Sequence, residues 1–166
     1  MRIAVFIDGS NYYYMQKEMG WYIAGEKLMK YFAKQGQLVD AFYYIGESPE
    51  DDDGSKRYLD MLNHIGFSLV TKPVKVITDS AGTTFKKANM DVEIVTDMLT
   101  LSDNYDVAVL VSGDSDFLKA LNILRAKGKV VEVFSTPGII SKELRRFCGV
   151  HYTDINTLQD ELERDW

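Results

Sequence analysis

The 166-residue chain is short of the residues that most often mark a binding chemistry. A single cysteine, Cys148, excludes an internal disulfide framework and a cysteine-cluster zinc site, and is expected to act as a small buried hydrophobe. With only two histidines, His64 and His151, a histidine-rich metal site is not expected, and both are assigned to ordinary surface positions. There are three prolines, and no internal repeat, low-complexity tract or linker interrupts the chain. The apolar runs are too short to span a bilayer. The opening MRIAVFID reaches Asp8 before a signal peptide's apolar region is complete, so the expected compartment is the cytoplasm, away from any membrane. Basic charge is also short: a net charge of −6 argues against a generic nucleic-acid coat protein, which depends on a basic surface. It leaves room for an enzyme that gathers carboxylates around divalent cations, because the metal inverts the local charge.

What is present has the composition of an ordinary globular protein, 46% hydrophobic and 27% charged, at a length that suits one domain with its own core. Short apolar runs alternate with amphipathic stretches. Ile3–Ile7, Val39–Ile45, Phe67–Val70, Val74–Ile77, Asp106–Val111 and Val130–Phe134 are expected strands, with His151-Tyr152 a last short extended segment. Helices are expected over Tyr12–Met19, Gly25–Lys34, Lys56–Ile65, Asn89–Leu101, Phe117–Ala126 and Ile140–Phe147. The acids Glu50–Asp53 suit the positive end of the third of these helices. Thr78–Thr84 is expected to be a polar loop, and the chain from Asp154 onward an acidic helical tail. Strands and helices in alternation predict an α/β fold: a three-layer α/β/α sandwich around a mostly parallel central sheet.

In such open sheets ligands sit at the carboxyl ends of strands where the strand order reverses. Asp8 ends the first strand, and Asp114 and Asp116 in VLVSGDSDF (109–117) follow a later one. In KKANMDVEIVTDML (86–99), Asn89 is the expected N-cap, which puts Asp91 in the first turn of its helix. If the two strands are neighbours at the switch point, Asp8, Asp91, Asp114 and Asp116 form one cluster of hard oxygen ligands. Close carboxylates raise one another's pKa values, a penalty that Mg²⁺ or Mn²⁺ removes. Such ions activate water and stabilise the oxygens of an in-line phosphodiester displacement without a histidine base. Taken singly, each acid has a plainer explanation as a turn or cap residue. Asp97 lies six positions beyond Asp91, off its i,i+3 and i,i+4 face, and is a supporting candidate.

Competing folds fit less well. After Asp8 a haloacid-dehalogenase-type phosphatase wants an aspartate where Ser10 stands, and an integrin-like metal site wants a hydroxyl where Tyr12 stands. DGSNYYY offers only Gly9 to a dinucleotide-binding turn, and no Walker loop is present. Lys86 and Lys87 are the better candidates for meeting substrate phosphates. Lys142, Arg145 and Arg146 are equally well explained as a solvated helix face. Tyr12, Tyr13 and Tyr14 offer a stacking surface for unpaired bases, although helical spacing sends at least one of them inward.

FIDGSN (6–11), KKANMDVEIVTDML (86–99) and VSGDSDF (111–117), in that order, resemble the NYN domain, a group of the PIN-like nuclease superfamily, and most nearly its bacterial LabA-like branch. The resemblance runs from about residue 1 to 152, with residues 153–166 expected to be a tail of the same domain. It implies a PIN-like fold and a metal-dependent ribonuclease in which Asp8, Asp91, Asp114 and Asp116 hold Mg²⁺ or Mn²⁺. It also carries the family's asparagine onto Asn11, its helix aspartate onto Asp97 and its serine onto Ser112. Where family members often carry an alanine–aspartate pair before the last strand, this chain reads Cys148-Gly149. The function so implied is endonucleolytic hydrolysis of RNA, single-stranded by expectation, with a homodimer as the default assembly. Two other readings stand beside it: a non-catalytic RNA-binding or regulatory module, and a phosphohydrolase of small nucleotides.

Overall fold

A computed structural model describes residues 1–47, 53–87 and 89–165. Its centre is a six-stranded sheet in the order β3-β2-β1-β6-β7-β8. The strands are β1 (Arg2–Asp8), β2 (Gln37–Glu47), β3 (Ser68–Pro73), β6 (Val107–Val111), β7 (Val130–Ser135) and β8 (Tyr152–Asp154). Every pairing within it is parallel. The intervening β4 (Lys75–Thr78) and β5 (Thr84–Lys87) form a separate antiparallel ribbon around the expected polar loop. The helices are α1 (Gly9–Met19), α2 (Gly25–Gln35), α3 (Asp53–Ile65), α4 (Asp91–Thr100), α5 (Leu118–Ala126), α6 (Lys142–Cys148) and α7 (Gln159–Leu162).

Alternation along β1 divides the interior in two. Ile3, Val5 and Ile7 pack with Tyr12 and Met15 of α1, Leu28 and Phe32 of α2, and Leu62 of α3. Ala4 and Phe6 turn to the opposite face and meet Ile94 and Met98 of α4, Leu121 and Leu124 of α5, and Leu144 of α6. Helices on both faces explain why β6, VAVLV, is buried at every position. The result is the expected α/β/α sandwich. Among the described residues, no helix is long and apolar enough to cross a membrane.

The chain builds outward from β1 through β2 to β3, then returns to place β6 on the other side of β1. The β1–β6 pair is therefore the switch point, with Ile7 opposite Val111 in register. Asp8, the last residue of β1, and Ser112, the residue after β6, stand at its mouth.

The tail is only partly helical. A 3₁₀ turn over Ile155–Leu158 precedes the four-residue α7. Ile155 and Leu162 are buried in the core, and the Ala24 amide donates to the Leu162 carbonyl, which holds this segment beside α2. Glu50–Asp52 lie outside the described residues, as does the Asp53 side chain.

Candidate metal centre

Asp8 ends β1 and caps α1. One carboxylate oxygen accepts from the Asn11 amide at 3.4 Å and the other from the Ser112 hydroxyl at 3.2 Å. Burial raises its pKa, and these hydrogen bonds to the ionised form oppose the rise. Ser112 is fully buried, and its oxygen in turn accepts from the Asp114 amide at 3.3 Å. Asp114 then caps the 3₁₀ turn Ser115–Phe117, its carboxylate accepting from the Asp116 amide at 2.9 Å.

Two glycines let these segments approach. A Cβ on Gly9 would lie 2.4 Å from the Tyr44 carbonyl oxygen, and one on Gly113 would lie 2.6 Å from that of Ile139. Both contacts are with backbone, which has no rotamer by which to yield. The Gly113 amide donates to the Asn11 side-chain oxygen at 2.9 Å, and the Gly113 carbonyl accepts from the Ser141 amide. IDGSN and VSGDSDF are thus joined to each other as well as to the sheet.

Asp91 reaches the same place from the start of α4, on the face of the sheet opposite α1 and shared with α5. Asn89, the expected N-cap, accepts from the Asp91 amide at 2.9 Å, but the cap position itself is Met90, so α4 begins one residue later. Asp91 stays in the first turn. Oxygens of Asp91, Asp114 and Asp116 all lie within 4.8 Å of one another. Asp8 falls outside that tight group yet is near enough for its charge to act on Asp91. The Asp91 pKa is pushed up to about 6, first by burial, then by the charges of Asp114, Asp8 and Asp116 and by a hydrogen bond with Asp116 that requires a proton. A set of oxygen donors this close, with one held near neutrality, suits a hard divalent cation, which would leave all of them ionised.

The other candidates are placed differently. Asp97 points at the sheet and accepts from the Tyr44 hydroxyl at 2.9 Å, fastening α4 to β2. Nothing in the local sequence signals Tyr44, which is fully buried and 53 positions away. Lys86 and Lys87 belong to β5, and their side chains lie outside the described residues. Arg145 stacks on Tyr152 with its guanidinium 4.5 Å from the ring centre and donates to the Gly149 carbonyl. His64 is exposed, whereas His151 meets the Glu132 carboxylate at 2.9 Å. Cys148 is buried, as expected. Of the tyrosine triplet, Tyr12 is buried, and Tyr13 and Tyr14 are exposed.

Fold and site together define an open α/β-sheet protein with an acidic crevice at its switch point. Residues 2–156 match the NYN domain. The chain is 38% identical over 168 residues to the "Low amplitude and bright protein LabA" of Synechococcus elongatus, covering 98% of this chain and 88% of that protein. The protein belongs to the NYN domain family, within the PIN-like nuclease superfamily. A crystal structure of a Vibrio parahaemolyticus protein of unknown function superposes with a TM-score of 0.80, covering 97% of this chain and 95% of that one. At 23% identity, that likeness speaks to the fold alone.

Proposed function

We propose that this protein is a Mg²⁺- or Mn²⁺-dependent ribonuclease that cleaves single-stranded RNA endonucleolytically. The observation that carries the reading is the meeting of Asp91, from the start of α4, with Asp114 and Asp116, from the turn that follows β6, within 4.8 Å. Membership of a family in the PIN-like nuclease superfamily supports hydrolysis of nucleic acid as the general chemistry.

In this reading Asp91, Asp114 and Asp116 hold the cation, and Asp8 adds charge from the buried side of the crevice. The bound cation supplies a water of lowered pKa and charge stabilisation for the phosphoryl oxygens. The chain's own part is positioning. Ser112 orients Asp8 through its hydroxyl, and Asn11 fixes the loop that carries Asp114 by holding the Gly113 amide. Asp114 is oriented by the Asp116 amide, so neighbouring acids are set by the same turn. A carboxylate ionised in this arrangement also accepts a proton from an attacking water.

The test is incubation of end-labelled single-stranded RNA with the protein, with Mn²⁺ or with EDTA, beside Asp114→Asn. Internal cleavage products that need Mn²⁺ and vanish in the variant are expected. Asparagine still accepts from the Asp116 amide, so the variant keeps its turn. Products undiminished in Asp114→Asn, or a shifted RNA complex with no cleavage, would overturn the assignment.

A further inference from the structure

A groove of about 650 Å³ opens beside the acidic crevice, on the α1–α3 side of the sheet. Gly9 and Ser10, which directly follow Asp8, form part of its wall. The rest is unusually aromatic: Tyr13, Tyr14, Tyr22, Tyr43 and Tyr58 all line it. Tyr43 is buried and packs edge-on against Tyr58, so the floor is fixed. Tyr13 and Tyr14 remain 51% and 58% exposed, and their rings meet at 70°. These two rings contribute little to the core and stand exposed in the groove's lining. Positive charge stands at the edge, with the Lys17 ammonium 5.5 Å from the centre of the Tyr13 ring and Arg164 in the lining.

Exposed aromatic rings beside cations match the chemistry of unpaired nucleobases on a phosphate backbone. Each base has a π-face, so such a groove accepts many sequences, while tyrosine hydroxyls meet polar base edges. Its volume falls in the range of about 300–1,000 Å³ usual for small-ligand clefts. In a duplex the base faces are already stacked, so only a single strand offers them to the tyrosines.

We infer that this tyrosine groove is a base-binding subsite, which takes the unpaired bases adjoining the phosphate held at the acids. The inference rests on the ribonuclease reading above and supplies a reason for preference for single strands. Its readout is binding without metal, independent of cleavage.

The experiment measures the affinity of the full chain, in EDTA at low salt, for a fluorescein-labelled oligouridine and for an abasic strand of equal length. The oligouridine is expected to bind more tightly than the abasic strand. Tyr13→Ala and Tyr14→Ala should each weaken oligouridine binding by about fivefold or more, and Tyr14→Phe, which keeps the ring, should restore most of it. Asp114→Asn, which disables the proposed cleavage, should bind at least as well as the wild type because it removes a negative charge. Equal affinity for the two strands, or no change in both alanine variants, would overturn the subsite. A groove that binds as expected in a protein that yields no Mn²⁺-dependent products would overturn the ribonuclease reading and leave the groove standing.

Discussion

The Asn11 side-chain oxygen accepts a hydrogen bond from the Gly113 amide at 2.9 Å, joining residues 102 positions apart. Asn11 belongs to the motif that ends β1 and Gly113 to the motif that ends β6, so this one bond sets the two halves of the crevice against each other. Asn11→Ala leaves the partly buried amide without that partner, at a cost of about 1 kcal/mol. The expected outcome is a lower urea midpoint and, on the proposed reading, a fall of about 10–100-fold in Mn²⁺-dependent cleavage, the range for residues that orient metal ligands. Equal loss in an exposed-site control such as Asn122→Ala would remove the special role of Asn11.

Gly113→Ala places a methyl group 2.6 Å from the Ile139 carbonyl oxygen. Neither backbone segment can rotate away, so the two must separate. A loss of about 1–3 kcal/mol is expected, in the range for overpacking. Chemical denaturation measures it, and wild-type stability in this variant would mean that the loop yields freely.

The acid cluster makes the metal-free protein less stable as pH rises. Asp91 is pushed up to about 6 when folded, against about 3.9 for an ordinary aspartate in the unfolded chain. Between about pH 4 and pH 6 the folded state therefore binds more protons, and stability declines as pH rises through this window. Asp8, raised by burial, acts in the same direction. Asp106 works oppositely: its hydrogen bonds with Arg2 hold it down at about 2, so its contribution is present above about pH 4 and is lost on further acidification. In EDTA, the melting temperature of the wild type should fall relative to Asp91→Asn from about pH 4 to about pH 7. On the proposed reading, Mn²⁺ should reverse that fall at the upper end, since a ligand of the folded state alone stabilises it. Parallel melting curves for the two proteins across the window would refute the raised value.

Tyr44→Phe removes the hydroxyl that fastens Asp97 to the sheet. Asp97 is partly exposed and regains water, so the expected loss is about 1 kcal/mol. Because the same helix carries Asp91 in its first turn, Mn²⁺ affinity, measured by calorimetry, should weaken as well. Unchanged affinity would confine Tyr44 to a packing role.

Contacts local in sequence were the legible ones. The apolar blocks Ile3–Ile7 and Val107–Val111 are fully enclosed strands, and the rule for open sheets places Asp8 and Asp114 at one mouth because only that end faces the crevice. Asn89 was recognisable as a residue that satisfies a helix-start amide. Its side chain closes an Asx turn onto Asp91, which moves the cap to Met90. The β4–β5 ribbon was half visible, since Val74–Ile77 shows strand character while Thr84–Lys87 is too polar to stand out. Tyr44–Asp97 and the grouping of Tyr14, Tyr43 and Tyr58 had no signal at all. They depend on the register of β2 and the placement of α3, which no periodicity encodes.

The place of β6 in the sheet has a consequence for synthesis. Asp8 leaves the ribosome before its neighbours Asp114 and Asp116, which belong to the turn after β6, made about a hundred residues later. A growing chain can pair β1 with β2 and β3 long before that, yet it has no crevice until β6 arrives to close the other side of β1. The acids of the growing chain therefore stay apart and come together only when most of the fold is complete.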